Sequence, residues 1–266
     1  MSQFPERIVC LTEEPTETLY ALEEDWRIVG ISGFTVRPPR ARKEKPKVSA
    51  FLSAKIDKIL ALEPDLVIGF SDLQADIAAA LIRAGINVHI FNQRSVDEIL
   101  AMIRQLGGLI GQQAKTDDYV TSLAQRIEVV LADARNDKRR PRVYFEEWDD
   151  PCISGIQWVS ELVEIAGGDD CFPELAKESL GKNRIIADPA EIARRAPDII
   201  IGSWCGKKFR PERVAERAGW ESVPAVVDGA IYEIKSPLIL QPGPAALTDG
   251  LDALRAIIAG WNDRQR

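Results

Sequence analysis

One histidine, His89, and four scattered cysteines, Cys10, Cys152, Cys171 and Cys205, are the whole stock of imidazole and thiol in the chain. No CxxC pair occurs, which argues against a dedicated zinc or iron site, since such sites need clustered ligands. His89 falls in Asn87-Val88-His89-Ile90-Phe91, on the polar phase of an expected strand, and reads as a hydrogen-bonded structural side chain. The cysteines read as inert, partly buried thiols, with a Cys152–Cys171 disulfide left open for an exported chain. Ser-His-Asp chemistry and the GxSxG elbow are absent, as are a P-loop and a GxGxxG after the first strand. No apolar run approaches the roughly 18 residues of a membrane span. Met1 to Glu6 has neither a basic n-region nor an apolar h-region, so the chain as written is expected in the cytoplasm, and in the periplasm if its start was trimmed or misassigned. A basic overall balance is lacking too. A net charge of -7 and a pI near 5.0 argue against nucleic acid and an anionic membrane surface as partners.

What is present is an ordinary globular composition, 45% hydrophobic and 28% charged. Near the midpoint, Val120, Leu123, Ile127, Leu131 and Ala134 recur at three- and four-residue steps, one apolar stripe on a helix. Thr116 is the expected N-cap, Asp117 and Asp118 charge the first turn, and Pro141 stops the chain beyond Arg135, Lys138, Arg139 and Arg140. From Thr116 to Asn136 such a helix spans roughly 30 Å. It reads as a brace across two lobes, the alternative being a surface helix of one larger domain.

Strands and helices alternate on both sides of it. Expected strands run at Arg7–Leu11, Arg27–Ile31, Val48–Phe51, Asp65–Phe70 and Ile86–Phe91, then at Arg142–Glu146, Asp198–Gly202 and Ala230–Ile234. Helices are expected at Ile56–Leu62, Leu73–Ala84, Val96–Ile110, Val159–Ala166, Pro189–Arg195 and Pro244–Ile258. Arg40–Lys47 is basic and reads as a solvated connection. Alternation of this kind implies right-handed crossovers and mainly parallel sheets. A repeat supports two copies: DKILALEPDLVIG from Asp57 has the same plan as AEIARRAPDIIIG from Ala190, and Pro64 and Pro197 lie half a chain length apart. The expected fold is therefore α/β, two Rossmann-like lobes with mainly parallel sheets bridged by one long α-helix. The expected divisions are residues 1–111, 112–140 and 141–266.

Ligands of open α/β sheets sit outside the carboxyl ends of the strands. The residues that follow the strands include Glu13, Phe34, Arg37, Phe51, Asp72 and Gln93 in the first half, with Phe70 at the rim. In the second half they include Trp148, Trp204, Lys235 and Leu238. With Trp158, this list is aromatic and polar without a catalytic set, so the expectation is a non-enzymatic pocket for a large, flat, partly apolar ligand. For each aromatic residue, plain core packing is the alternative. Lys207, Lys208 and Arg210 make one second-half loop basic, either toward an anionic ligand or as a solvated charge run.

The blocks RIVCLTEEPTETLYAL, DKILALEPDLVIGFSD, GINVHIF, WVSELVEIAGG and QPGPAALTDGLDAL together resemble the solute-binding proteins of cobalamin and iron-siderophore ABC transporters, nearest to the cobalamin binders. The resemblance implies two lobes on a long helix, a ligand held between them with little movement, and no catalysis. It implies cobalamin or a related corrinoid as the transported ligand, with no cofactor and no metal site, and a monomer that delivers to a permease and its ATPase. By motif, corrinoid-contacting aromatics fall at Phe51, Phe70 and Trp204; acids that engage the permease fall at Asp76 and at Glu212 or Glu216. The alternatives are a ferric-siderophore or haem binder, or a cytoplasmic corrinoid-handling or sensing protein with no transporter. A metal chelatase is the outsider.

Overall fold

The computed structural model describes residues 3–265. Two compact units emerge: the first holds the residues up to Gln93 together with Asp97–Leu123, and the second holds Arg94–Val96 and the chain from Ala124 onward.

The first unit runs β1 (Ile8–Cys10), α1 (Glu13–Ala21), β2 (Ile28–Ser32), α2 (Ala41–Glu44), β3 (Lys47–Ser49), α3 (Ile56–Leu60), β4 (Leu66–Phe70), α4 (Ala75–Arg83), β5 (Val88–Phe91) and α5 (Val96–Leu109). Its sheet has the order β3-β2-β1-β4-β5, and every pairing is parallel. The strands read as continuous apolar runs because helices cover both faces of such a sheet. Val9, Leu11, Val48, Ile59, Val67, Ile77 and Leu81 form one buried cluster between strands and helices.

The long helix α6 (Gln113–Ala134) is counted with the first unit up to Leu123 and with the second thereafter. Its stripe is as the sequence indicates, with Val120, Leu123, Ile127 and Ala134 all buried. Its start is not. Thr116 lies inside the helix, where its hydroxyl donates to Gln112 O at 2.7 Å, so it cannot cap the first turn. The reason is the neighbouring helix: a Cβ at Gly107 of α5 would fall 2.1 Å from Thr116 Oγ1, so α5 and α6 close on each other at that point.

The second unit runs β6 (Arg142–Asp149), β7 (Cys152–Ser154), α7 (Gln157–Ile165), β8 (Asp169–Asp170), α8 (Pro173–Ala176), α9 (Ala190–Arg195), β9 (Ile199–Gly202), α10 (Pro211–Ala215), α11 (Pro224–Val227), β10 (Ile231–Glu233), α12 (Ser236–Ile239) and α13 (Leu251–Arg264). The order is β10-β9-β6-β7, with β8 beside the start of β6. All pairings are parallel except β6 with β7, a hairpin the sequence reading missed. The closing helix also differs from expectation: it enters through a wide π turn at Ala246–Gly250 and continues to Arg264. At that turn, Gly250 lies against the Leu238 carbonyl with no room for a Cβ.

The repeat has a physical meaning in the two sheets. β4 lies parallel to β1, and β9 parallel to β6. In the first unit the Asp65 carboxylate accepts from Glu6 N and Arg7 N, at 2.7 and 3.0 Å, while Asp65 N donates to Arg7 O at 3.0 Å. In the second, Asp198 Oδ2 accepts from Arg142 N at 2.8 Å, and Asp198 N donates to Arg142 O at 2.8 Å. Each arginine then turns its guanidinium onto carbonyls at the end of the preceding helical segment: Arg7 onto Leu62 O and Glu63 O, Arg142 onto Arg195 O. Glu63 and Ala196, one residue before each Pro-Asp pair, both take the left-handed conformation (φ 45 and 48) that ends the helix and turns the chain into the strand. Replacing Asp198 by Ala leaves the Arg142 amide without its acceptor. We expect urea unfolding to show a loss of about 1–3 kcal/mol for Asp198→Ala, and a smaller loss for Asp65→Ala, whose carboxylate is more exposed.

Candidate functional site

Because every strand of the first sheet points the same way, the five segments that leave its strands share one edge. Three of the large apolar residues most exposed in the protein lie within three positions of a strand end. Phe34 follows β2 at 66% exposure, Leu52 follows β3 at 66%, and Leu73 follows β4 at 46%. Phe51 beside Leu52 is half-buried. Three loops that leave one edge of the sheet thus each carry an exposed large apolar side chain.

Beneath these tips lie polar anchors. Gln74, fully buried, accepts from Phe70 N through Oε1 at 2.9 Å and donates from Nε2 to Phe51 O at 2.9 Å, with Leu11 O at 3.5 Å. One carboxamide thus ties the ends of β1 and β4 to the loop after β3. A side chain on Gly69 would collide with it, at 2.6 Å from Oε1. Glu13 does the same under Phe34: its Oε2 accepts from Val36 N and from Arg37 N, the latter at 3.0 Å. Its other oxygen, Oε1, is buried without a hydrogen bond, as are the hydroxyls of Thr12 and Thr35. Burial pushes the Glu13 carboxyl up to about 7, against the pull of those two amides. Arg37 pairs with Glu17 at 2.9 Å.

The second unit builds its strand-end face around a buried carboxylate. Glu146 near the end of β6 accepts from Arg217 at 2.5 and 2.9 Å, from Trp204 Nε1 at 3.0 Å and from Tyr144 OH at 3.0 Å. Trp204, buried, also meets Phe209 edge-on at 4.8 Å. A Cβ on Gly202 would overlap the Phe209 ring, so glycine at the end of β9 is what admits it. Above them Lys207 Nζ pairs with Asp149 at 2.6 Å and lies 5.0 and 5.3 Å from the ring centres of Trp204 and Trp148. Lys208 and Arg210 are exposed.

A family model described as periplasmic binding protein matches residues 8–238 of the chain. The chain belongs to the periplasmic binding protein family. An uncharacterized ABC transporter substrate-binding lipoprotein of Bacillus subtilis is 26% identical over 259 residues, 94% of this chain and 79% of the relative. A vitamin B12-binding protein of Vibrio parahaemolyticus is 23% identical over 246 residues, 91% of this chain and 86% of the relative. Among solved structures, a possible iron-binding (periplasmic solute-binding) protein of Staphylococcus epidermidis superposes with a TM-score of 0.82 at 20% identity, over 96% of this chain and 99% of that one. At that identity the match shows the fold, two lobes of mainly parallel sheet with helices.

A periplasmic binding protein is non-catalytic, and so is this chain. Among the described residues no cluster of three or more His, Cys, Asp or Glu is placed to hold a metal ion. No described helix is long and apolar enough to cross a membrane. His89 on β5 is half-buried and meets Phe91 edge-on at 4.3 Å. The four cysteines are free thiols, so Cys152 and Cys171 are not joined; Cys205 alone is exposed.

The remaining positions sort by burial. Phe70 is 6% exposed and packs inside β4 behind the tips. Trp158 is buried on α7, its indole N–H donating to Ile239 O at 2.8 Å, which is the bond of a core tryptophan. Gln93 is buried after β5. Asp72 is exposed, Trp148 and Leu238 are half-buried, and Lys235 is exposed and paired with Glu233 at 2.6 Å. Asp76, in the first turn of α4, and Glu212 and Glu216, on and just after α10, are exposed. Leu52 and Leu73 escaped the sequence reading, their signal being only their place immediately after a strand end. Gln74, which the sequence places after the Asp65–Phe70 strand, proves to be a buried anchor.

The Glu13 carboxyl yields a pH prediction. Its folded value lies above the ordinary 4.5, so folding favours the protonated form. The corresponding stability is fully present below the unfolded value and is lost as pH rises through about 7. The melting temperature of wild type relative to Glu13→Gln therefore falls between about pH 5 and about pH 8. A difference that stays flat across that interval would contradict the assignment.

Proposed function

We propose that the chain binds cobalamin or a related corrinoid at its strand-end loops and delivers it to an ABC importer. The observation that carries this is the edge where Phe34, Leu52 and Leu73 stand in water over buried polar anchors. A broad apolar rim without metal ligands or acid–base pairs suits a large, flat, preassembled ligand that arrives with its own metal. The vitamin B12-binding relative supports the same ligand. As a periplasmic binding protein the chain is a substrate-binding protein for ABC transport, so a permease and its ATPase are the partners, and its work lies outside the cytoplasmic membrane.

The ligand set we carry forward is Phe34, Phe51, Leu52, Leu73 and Trp148. Trp204, Glu13 and Gln74 support it from below. A second reading, a ferric siderophore or haem, draws on the exposed Lys208 and Arg210 in the loop after β9 and on the structural neighbour described as a possible iron-binding protein.

Absorbance and calorimetric titration separates them. Cyanocobalamin should bind saturably, and Phe51→Ala or Leu52→Ala should each weaken it by about 1–3 kcal/mol, the worth of a buried apolar side chain. Saturable binding of haemin or a ferric hydroxamate with no binding of cyanocobalamin would replace the corrinoid by the second reading.

The exposed acids give a separate test of delivery. Asp76→Lys combined with Glu212→Lys should leave cyanocobalamin affinity unchanged and abolish uptake by cells that depend on this protein, because a surface charge reversed at a docking contact repels its partner. Unchanged uptake would remove both residues from the docking surface.

A further inference from the structure

Next to the rim loop that carries Phe51 and Leu52, the first unit has a second concave feature. A cavity of about 420 Å3 opens along β3 and the start of α3, lined by Lys47, Ser49, Ser53, Lys55 and Lys58 with intervening backbone. The backbone there is firm: Lys55 N donates to Val48 O at 3.2 Å, Ala50 N to Ser53 O at 2.7 Å, and Ser49 bridges Ala54. None of the three lysines takes part in an ion pair among the described residues, whereas other cations of this chain do so readily. No carboxylate lines the cavity. Of the nearest acids in sequence, Glu44 is engaged by the Tyr20 hydroxyl at 2.8 Å, and Asp57 lies outside the lining. Ser49 Oγ is buried without a hydrogen bond.

The geometry points to a binding site for a small oxyanion, a phosphate or carboxylate compound, held by Lys47, Lys55 and Lys58 with Ser49 and Ser53 as hydroxyl donors. The chain has a net charge of -7, so three unpaired ammonium groups in one concavity form a local field opposite to that of the whole. Ammonium groups only donate and hydroxyls can donate, so the lining can satisfy an anion, while three positive charges and no lining carboxylate repel a cation. Arg40–Lys47, read from sequence as a solvated connection, leads directly into this wall.

The site is independent of the corrinoid reading, and its test is kept separate. Inorganic pyrophosphate and citrate are titrated calorimetrically at low ionic strength into wild type, Lys47→Gln/Lys58→Gln and Lys43→Gln/Lys45→Gln. The second pair carries the same charge change just outside the lining. Circular dichroism confirms that each variant folds. Saturable binding of pyrophosphate or citrate, weakened at least tenfold in Lys47→Gln/Lys58→Gln and less than twofold in Lys43→Gln/Lys45→Gln, supports the site. Sedimentation with phosphatidic acid vesicles then tells a lipid headgroup from a soluble phosphate: loss of vesicle binding in the first pair alone assigns the headgroup. No saturable heat with either anion together with no vesicle binding, or an equal loss in both variant pairs, overturns it. Cyanocobalamin affinity, unchanged in all variants, keeps the outcome distinct from that of the main site.

Discussion

One carboxylate sets the register of each sheet. Asp65 and Asp198 each form a reciprocal bracket with the arginine that opens the first strand of their unit, amide to carboxylate in one direction and amide to carbonyl in the other. The bracket fixes where β4 starts beside β1, and β9 beside β6, at Ile8↔Leu66 and Val143↔Ile199. A slip of one residue would turn every side chain of a strand to the opposite face. With the starts of the parallel strands pinned, their carboxyl ends fall on one edge of each sheet, and the loops that follow share a surface. Backbone groups at a sheet end are costly to leave unpaired, so a bracket made partly of main chain is a durable way to hold register.

The strand-end faces rest on polar anchors rather than on the apolar tips themselves. Gln74, Glu13 and Glu146 are buried side chains whose partners are loop amides and carbonyls or, for Glu146, Arg217, Trp204 and Tyr144. Removing one member of such a set strands the others in a place water reaches poorly, and that penalty exceeds the net worth of the bond. The anchors hold the loop backbone so that Phe34, Leu52 and Leu73 stay exposed when collapse would otherwise cover them. For Glu146 the charge is matched by a bidentate arginine, the arrangement in which a buried carboxylate is tolerated.

Much of this was legible in the sequence. The two Pro-Asp junctions announced a duplicated unit because helix end, left-handed turn, capping aspartate and apolar strand must follow in that order. The stripe of α6 was legible for the same reason: period is a local property. What failed was long-range. The true start of α6 depends on Gly107 making room for Thr116. Trp204 and Trp158 follow helix or strand signals much as a rim residue would, but their indole N–H groups find Glu146 and Ile239 O, 58 and 81 residues away, and both rings are buried. Leu52 was passed over in favour of the aromatic Phe51 beside it, and Leu73 in favour of Phe70 three residues before it. On segments this short, alternation alone does not say which of two neighbours faces solvent.

The central claim is that the strand ends form the ligand face, and amide hydrogen exchange with and without saturating cyanocobalamin tests it most directly. Protection on binding is predicted in the segments around Phe34, Phe51–Leu52, Ser71–Gln74 and Glu147–Asp149, with the lysine-lined wall of β3 and α3 unchanged. Protection confined to the amino ends of the strands, or spread evenly over the helices with none at these loops, would contradict it.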